Sequence, residues 1–172
     1  SPEGMRRAIL AGVSTIEHGD NATAEICKLM KAKGVALCPT LAAGDAVLQY
    51  KGWKKGLEPE PERISNKRKT FAMALDAGVT ICMGGDVGVF AHGDNAREME
   101  MMAEYGMKPI DVLRSATSVN AAVFGYAHKI GSIKKDLLAD IIAVDGDPSV
   151  DIKNIRKIKM VMKAGKLVNL KN

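Results

Sequence analysis

Two residues stand where chemistry can be done: His18, in Ile16-Glu17-His18-Gly19, and Asp86, in Gly84-Gly85-Asp86. Each closes a short apolar run and has glycine beside it. A neutral imidazole and a carboxylate are both ligands for a divalent cation, and the carboxylate can also serve as a general base toward water. A plainer reading of Asp86 is that it caps a turn which the glycines permit. A third candidate is His92, six residues past Asp86 in the same glycine-rich stretch. It is placed either to touch a substrate or to satisfy a loop carbonyl. His128, next to Lys129, reads as surface or packing. Glu17 precedes His18, so its side chain leaves the opposite side of the strand and is not assigned a catalytic part.

The elements that must hold these residues follow from periodicity. The run 79–83 reads as a buried strand ending at Gly84-Gly85, with Asp86 at its C-terminal end and a helix starting after Asp94 or Asn95. Upstream, 13–19 reads as a strand that ends in His18, and 35–39 as a second one, broken by Pro39. Ala22, Ile26, Leu29 and Met30 fall on one helical face, which predicts a helix over 22–33 stopped by Gly34. Further helices are expected over 2–11, 61–77 and 96–105, where Asn95 and Glu98 have the spacing of a capping box. Residues 41–60, with Gly44, Gly52, Gly56 and Pro59, read as a long loop with at most a short helix near 46–50. The first hundred residues thus alternate strand and helix, and their short apolar strands suit a parallel sheet covered on both sides. The C-terminal ends of such strands are where ligands bind in α/β folds.

Beyond residue 108 the pattern changes. Two helical pieces are expected over 109–116 and 119–124, split around Thr117-Ser118. Short strands follow at 130–133 and 139–144, then a turn at 145–148 and a hairpin of 157–163 with 166–170 around Ala164-Gly165. This divides the chain into 1–126 and a smaller β unit over 127–172. Three or four strands are marginal alone, so that unit must lean on something else.

Composition excludes several classes. Apolar residues make up 47% and charged residues 26%, an ordinary globular balance, and no apolar run approaches the ~20 residues of a membrane span. Cys27, Cys38 and Cys82 lack metal-site spacing and read as buried thiols of a reducing, cytoplasmic setting. From Ile152 to Asn172 there are seven Lys/Arg and no acid, but Ile158, Met160 and Met162 alternate with the lysines and no aromatic is interleaved for base stacking. A half-buried strand with a basic solvent face is the reading, not a nucleic-acid surface.

Together, Ile16-Glu17-His18-Gly19, Gly84-Gly85-Asp86, Ala91-His92-Gly93-Asp94-Asn95-Ala96-Arg97-Glu98, Ala116-Thr117-Ser118-Val119-Asn120-Ala121-Ala122, Ile130-Gly131-Ser132-Ile133 and Leu138-Ala139-Asp140-Ile141-Ile142-Ala143-Val144-Asp145-Gly146-Asp147-Pro148 resemble the metal-dependent amidohydrolase superfamily, in particular its imidazolonepropionase- and prolidase-like branch. The resemblance covers essentially the whole chain. It implies the C-terminal portion of a (β/α)8 TIM barrel, strands six to eight, followed by part of a small β domain. It further implies hydrolysis of an amide-type C–N bond in a dipeptide or cyclic amide by metal-activated water. One or two divalent ions, commonly zinc, are the implied cofactor. His18 matches the strand-six metal ligand, and Asp86 matches the strand-eight aspartate that both touches the metal and acts on the water.

Departures accompany the match. Gly85 stands where the family often has Thr or Ser, and Lys135-Asp136-Leu137 replaces the usual Pro-Gly-Lys turn. The family's His-x-His on strand one, the strand-four lysine and the strand-five histidine have no counterpart. The chain therefore reads as an incomplete piece, inert alone, which self-associates or needs an upstream half of the same enzyme. Two further classes stay open: an anion- or phosphate-binding half-barrel using the loop that opens the 96–105 helix, and a non-catalytic assembly fragment.

Overall fold

A computed structural model describes residues 1–169. Helix α1 (Pro2–Leu10) opens the chain, capped by the Ser1 side chain, and buries Met5 and Ile9. It leads into strand β1 (Thr15–Glu17). Helix α2 (Ala24–Lys33) starts under the Thr23 hydroxyl and ends at Gly34, whose φ of 68° is the left-handed turn that glycine adopts without strain. Strand β2 (Ala36–Cys38) is buried throughout. It pairs in parallel with β1, Thr15 opposite Ala36 and Glu17 opposite Cys38.

The third strand position is weaker than its sequence suggests. Within 79–83 only Ile81 forms a bridge, parallel to Leu37. Two bonds carry it: Leu37 N–H to the Thr80 carbonyl at 2.9 Å, and Cys82 N–H to the Leu37 carbonyl at 2.8 Å. Past Cys82 the backbone bonds to a side chain instead. Met83 N–H donates to Asn120 Oδ1 at 3.2 Å, and Asn120 Nδ2 donates to the Met83 carbonyl at 2.8 Å. The amide of one asparagine thus substitutes for a strand neighbour, so the ladder ends there.

Residues 41–50, expected as loop with at most a short helix near 46–50, form helix α3 over their whole length (Leu41–Tyr50). Glycine at 44 and the absence of a local cap hid it; its cap comes from far away in the chain, as described below. Helices α4 (Glu62–Asp76) and α5 (Ala96–Glu104) complete the layer. Their Ile64, Phe71, Ala74, Met99 and Met102 share one buried core with Leu37, Ile81 and the Ile26, Cys27 and Met30 of α2. The two pieces expected over 109–124 are one rod: α6 (Pro109–Arg114), a π-helical turn (Ser115–Val119) and α7 (Asn120–Val123). The break at Thr117-Ser118 is thus a widened turn rather than an interruption.

Residues 130–133 bend without forming a strand. A second sheet follows, of β3 (Ile141–Val144), β4 (Ile158–Lys163) and β5 (Lys166–Val168), antiparallel in that order. The hairpin turn has Ala164 at φ 49° and Gly165 at φ 79°, the positive pair that a two-residue hairpin requires. The Leu170 end of the expected strand lies outside the described residues. β4 is less buried than its alternation implies, since Ile158 is 45% exposed. Part of its basic flank is paired: Arg156 grips Glu100 and Asp94, and Lys163 pairs with Asp140. The 3₁₀ turn (Ile152–Arg156) buries Ile152 against α5 and joins this sheet to the helical layer. Among the described residues, no helix is long and apolar enough to cross a membrane.

Candidate active site

His18 and Asp86 lie at the C-terminal ends of the two chain segments that flank β2. His18 N–H donates to the Cys38 carbonyl at 2.9 Å, continuing the β1–β2 ladder by one residue. Asp86 follows the segment on the other side of β2. It stands four residues past Cys82, whose N–H makes the last backbone bond to β2 on that side. Both side chains are exposed, and both residues have left-handed backbone, φ 63° and 56°. Among non-glycine residues that region is uncommon and favours Asp, Asn and His. Both chains turn sharply as they leave the sheet.

His18 is held from two sides. Its Nδ1 lies 2.6 Å from the Thr40 hydroxyl. Its carbonyl accepts from Lys67 Nζ at 2.6 Å, and the same ammonium reaches Asp20 at 2.5 Å. Burial pulls the Lys67 ammonium down, and the Asp20 carboxylate partly offsets this. For Asp20, burial is the largest influence and pushes upward, but Lys67 and Arg63 outweigh it and leave the carboxyl below its ordinary value.

Around Asp86 the glycines are needed for close approach. A Cβ on Gly84 would stand 2.6 Å from Cys38 Sγ. One on Gly85 would stand 3.1 Å from the ring of the buried Phe90. Phe90 also lies 5.5 Å under the Arg97 guanidinium. Arg97 pairs with the fully buried Asp45. Lys55 faces the other carboxylate oxygen of Asp45 at 2.9 Å as an ion pair, without hydrogen-bond alignment. The start of α5, helix α3 and the 51–60 loop therefore meet at one buried carboxylate, and the loop after Asp86 adjoins them through Phe90 beside Arg97. His92 is exposed on that loop, away from these contacts, and Asp94 at its end is bound by Arg156.

The buried thiols are poor nucleophiles. Burial first, then the Glu17 carboxylate, push Cys38 far up, and the same two causes raise Cys82 to about 11. The position of Glu17 beside these cysteines fits its departure from the opposite side of β1 to His18.

One ionisable group escaped the sequence reading. Glu98 has no exposed surface, and its two oxygens accept from Leu41 N–H at 2.9 Å and Ala42 N–H at 2.7 Å. It does not close a box with Asn95, which makes no side-chain cap; it caps α3 instead. Burial raises its carboxyl to about 7, with the two amides pulling the other way. The folded-state value lies above the unfolded one, so the native state holds the extra proton between roughly pH 4.5 and 7. The stability associated with that proton is complete below the unfolded value and is lost as pH rises toward 7. We expect wild type to lose a few kcal/mol relative to Glu98→Gln across this window. Urea unfolding of both proteins at pH 4.5 and 7.5 measures it, and parallel pH profiles would contradict it.

His18 and Asp86 are chemically suited to a divalent cation, as two members of a larger donor set. Among the described residues no third His, Cys, Asp or Glu joins them to complete one.

Comparison with known proteins identifies the family. Residues 1–168 match the model of the "Amidohydrolase family". The chain is 33% identical to ochratoxinase of Aspergillus niger over 175 aligned positions, which cover 95% of this chain and 35% of that protein. The crystal structure of A. niger ochratoxinase superposes with a TM-score of 0.79 at 30% identity, covering 95% of this chain and 38% of that one. A Xaa-Pro dipeptidase structure with bound methionine in the active site gives a TM-score of 0.86 at 37% identity, over 96% of this chain and 42% of that one. A putative prolidase from Bifidobacterium longum gives 0.79 at 30% identity, over 98% and 45%. The chain thus spans well under half the length of these relatives, and it belongs to the amidohydrolase family of hydrolases.

Proposed function

We propose that the full-length protein hydrolyses amide-type C–N bonds of small substrates, dipeptides first among them because a Xaa-Pro dipeptidase is among the relatives. The observation that carries this is the exposed imidazole of His18 and the exposed carboxylate of Asp86 at one end of a parallel sheet, in a member of this family. In this reading β1, β2 and the 79–83 segment are strands six, seven and eight of the barrel. Residues 1–126 then belong to the barrel, and 127–172 to the small β domain. His18 and Asp86 supply two donors to a divalent ion, zinc by the nature of its ligands, and the remaining donors come from elsewhere in the full-length protein. A bound ion of this kind lowers the pKa of a water and polarises the substrate carbonyl. Asp86 takes the proton from the attacking water and passes it to the leaving amine. The loop carrying His92 lies on the substrate side.

The test uses the full-length protein. We expect about one or two equivalents of zinc by elemental analysis and hydrolysis of a panel of Xaa-Pro dipeptides and N-acyl amino acids. His18→Ala should lower zinc affinity by roughly 10-fold or more and turnover with it. Wild-type zinc content in that variant, or no hydrolysis across the panel, would overturn the reading.

A further inference from the structure

Helix α3 has an unusual beginning. The first amides of a helix need acceptors from outside it. Thr40, at the N-cap, provides none, because its side chain makes no cap bond. The acceptor is Glu98, 57 positions beyond Leu41 in the chain and fully buried, with one oxygen on the Leu41 amide and the other on the Ala42 amide. Thr40 is held at φ 47°, a region that a β-branched residue enters only where its surroundings enforce it. Freed from capping, its hydroxyl lies 2.6 Å from His18 Nδ1. A carboxylate on α5 thereby fixes the start of α3, that start fixes Thr40, and Thr40 meets the ring of the exposed histidine.

We propose that Glu98 is a positioning residue for His18: by clamping the Leu41 and Ala42 amides it holds the Thr40 hydroxyl as acceptor for Nδ1–H, which leaves the Nε2 lone pair facing outward. The hydrogen on Nδ1 is then fixed, and with it the tautomer able to bind a cation or to accept a proton. Lys67 holds the backbone of the same residue through its carbonyl, so ring and main chain are secured separately. The use of His18 as a ligand rests on the hydrolase reading; the positioning itself does not.

The experiment is ¹⁵N NMR of the histidine side chains in the zinc-free, full-length protein at about pH 8.5, where Glu98 is a carboxylate, with His18 assigned by its loss in His18→Ala. Wild type should show a single Nδ1–H tautomer at His18. In Glu98→Gln, the carboxamide accepts from only one of the two amides, and the His18 signals should move toward a mixture of tautomers while far-UV circular dichroism is unchanged. Thr40→Val should do the same with the α3 cap intact, and Thr40→Ser should restore the wild-type pattern. Zinc affinity, by chelator competition, should fall ~10–100-fold in Glu98→Gln and Thr40→Val and recover in Thr40→Ser. A wild-type Nε2–H tautomer, or a His18 signal indifferent to Glu98→Gln, would overturn the proposal. If Glu98→Gln does not fold, Glu98→Asp replaces it. If neither folds, the Thr40 pair decides, because an unchanged His18 in Thr40→Val breaks the relay. A tautomer that responds as described in a protein without zinc affinity supports the positioning and defeats the hydrolase reading. Zinc bound through a His18 that ignores both variants does the reverse.

Discussion

In the full-length protein, Asp86→Asn is expected to keep the fold and to lose at least ~10³-fold in kcat, equivalent to ~4 kcal/mol of transition-state stabilisation. The fold should survive for two reasons. The side chain is exposed, and its backbone has φ 56°, a region that asparagine enters as readily as aspartate. The chemistry should not survive, because a carboxamide cannot take a proton from water. The observable is turnover of the best dipeptide at saturating substrate, beside a thermal melt. Turnover within a few-fold of wild type would remove Asp86 from the reaction and leave it the turn residue of the plainer reading.

The second large effect concerns folding. Gly131 has φ 94°, and a Cβ there would stand 2.5 Å from Ala121 Cβ, 3.0 Å from the Thr117 carbonyl oxygen and 3.2 Å from Ser118 Cα. Two of the three obstacles are backbone and cannot swing aside. Gly131→Ala therefore combines left-handed strain with overpacking against the π-helical turn, and we expect a loss of ~3 kcal/mol or more. Chemical denaturation of the full-length protein reads it as a lower midpoint at unchanged slope. A loss under ~1 kcal/mol would mean that the contact between 130–133 and the 115–123 rod is loose. Gly165→Ala is the internal comparison: its φ is also positive, but nothing lies within 4 Å, so only the strain remains.

These cases show what the sequence discloses. The placement of His18 and Asp86 just past the two segments that flank β2 was legible because strand ends are marked locally, by an apolar run that stops at glycine. The hairpin at Ala164-Gly165 was legible for the same reason. Helix α3 was not, because the group that stabilises its first turn is Glu98, far along the chain; the local signals at 41–50, Gly44 and the lack of a cap, all argue for loop. Glu98 itself was misread through spacing, since a glutamate three residues after an asparagine resembles a local box until its side chain is seen to reach another helix. The 79–83 segment was over-read. Its residues are apolar enough for a strand, but hydrogen bonding is a property of the neighbour, and beyond Cys82 the neighbour is the Asn120 side chain. Residues 130–133 were over-read similarly: Ile130 and Ile133 give the alternation, while the φ of Gly131 bends the chain out of any ladder.

The π-helical turn at Ser115–Val119 bears on how this family tolerates insertions and deletions. A π turn holds one residue more than an α turn. Removing a single residue from 115–119 would leave an unbroken α-helix with good local geometry, and by propensity alone it would look like an improvement. Each residue of an α-helix turns the following face by ~100°. The wide turn absorbs one such step within a single revolution, so the shortened rod would still present Asn120 to Met83 and Ala121 to Gly131. The π turn is thus slack in the count, and loss of one residue within 115–119 is expected to be tolerated better than loss of one within α6 or α7, where every later face would turn.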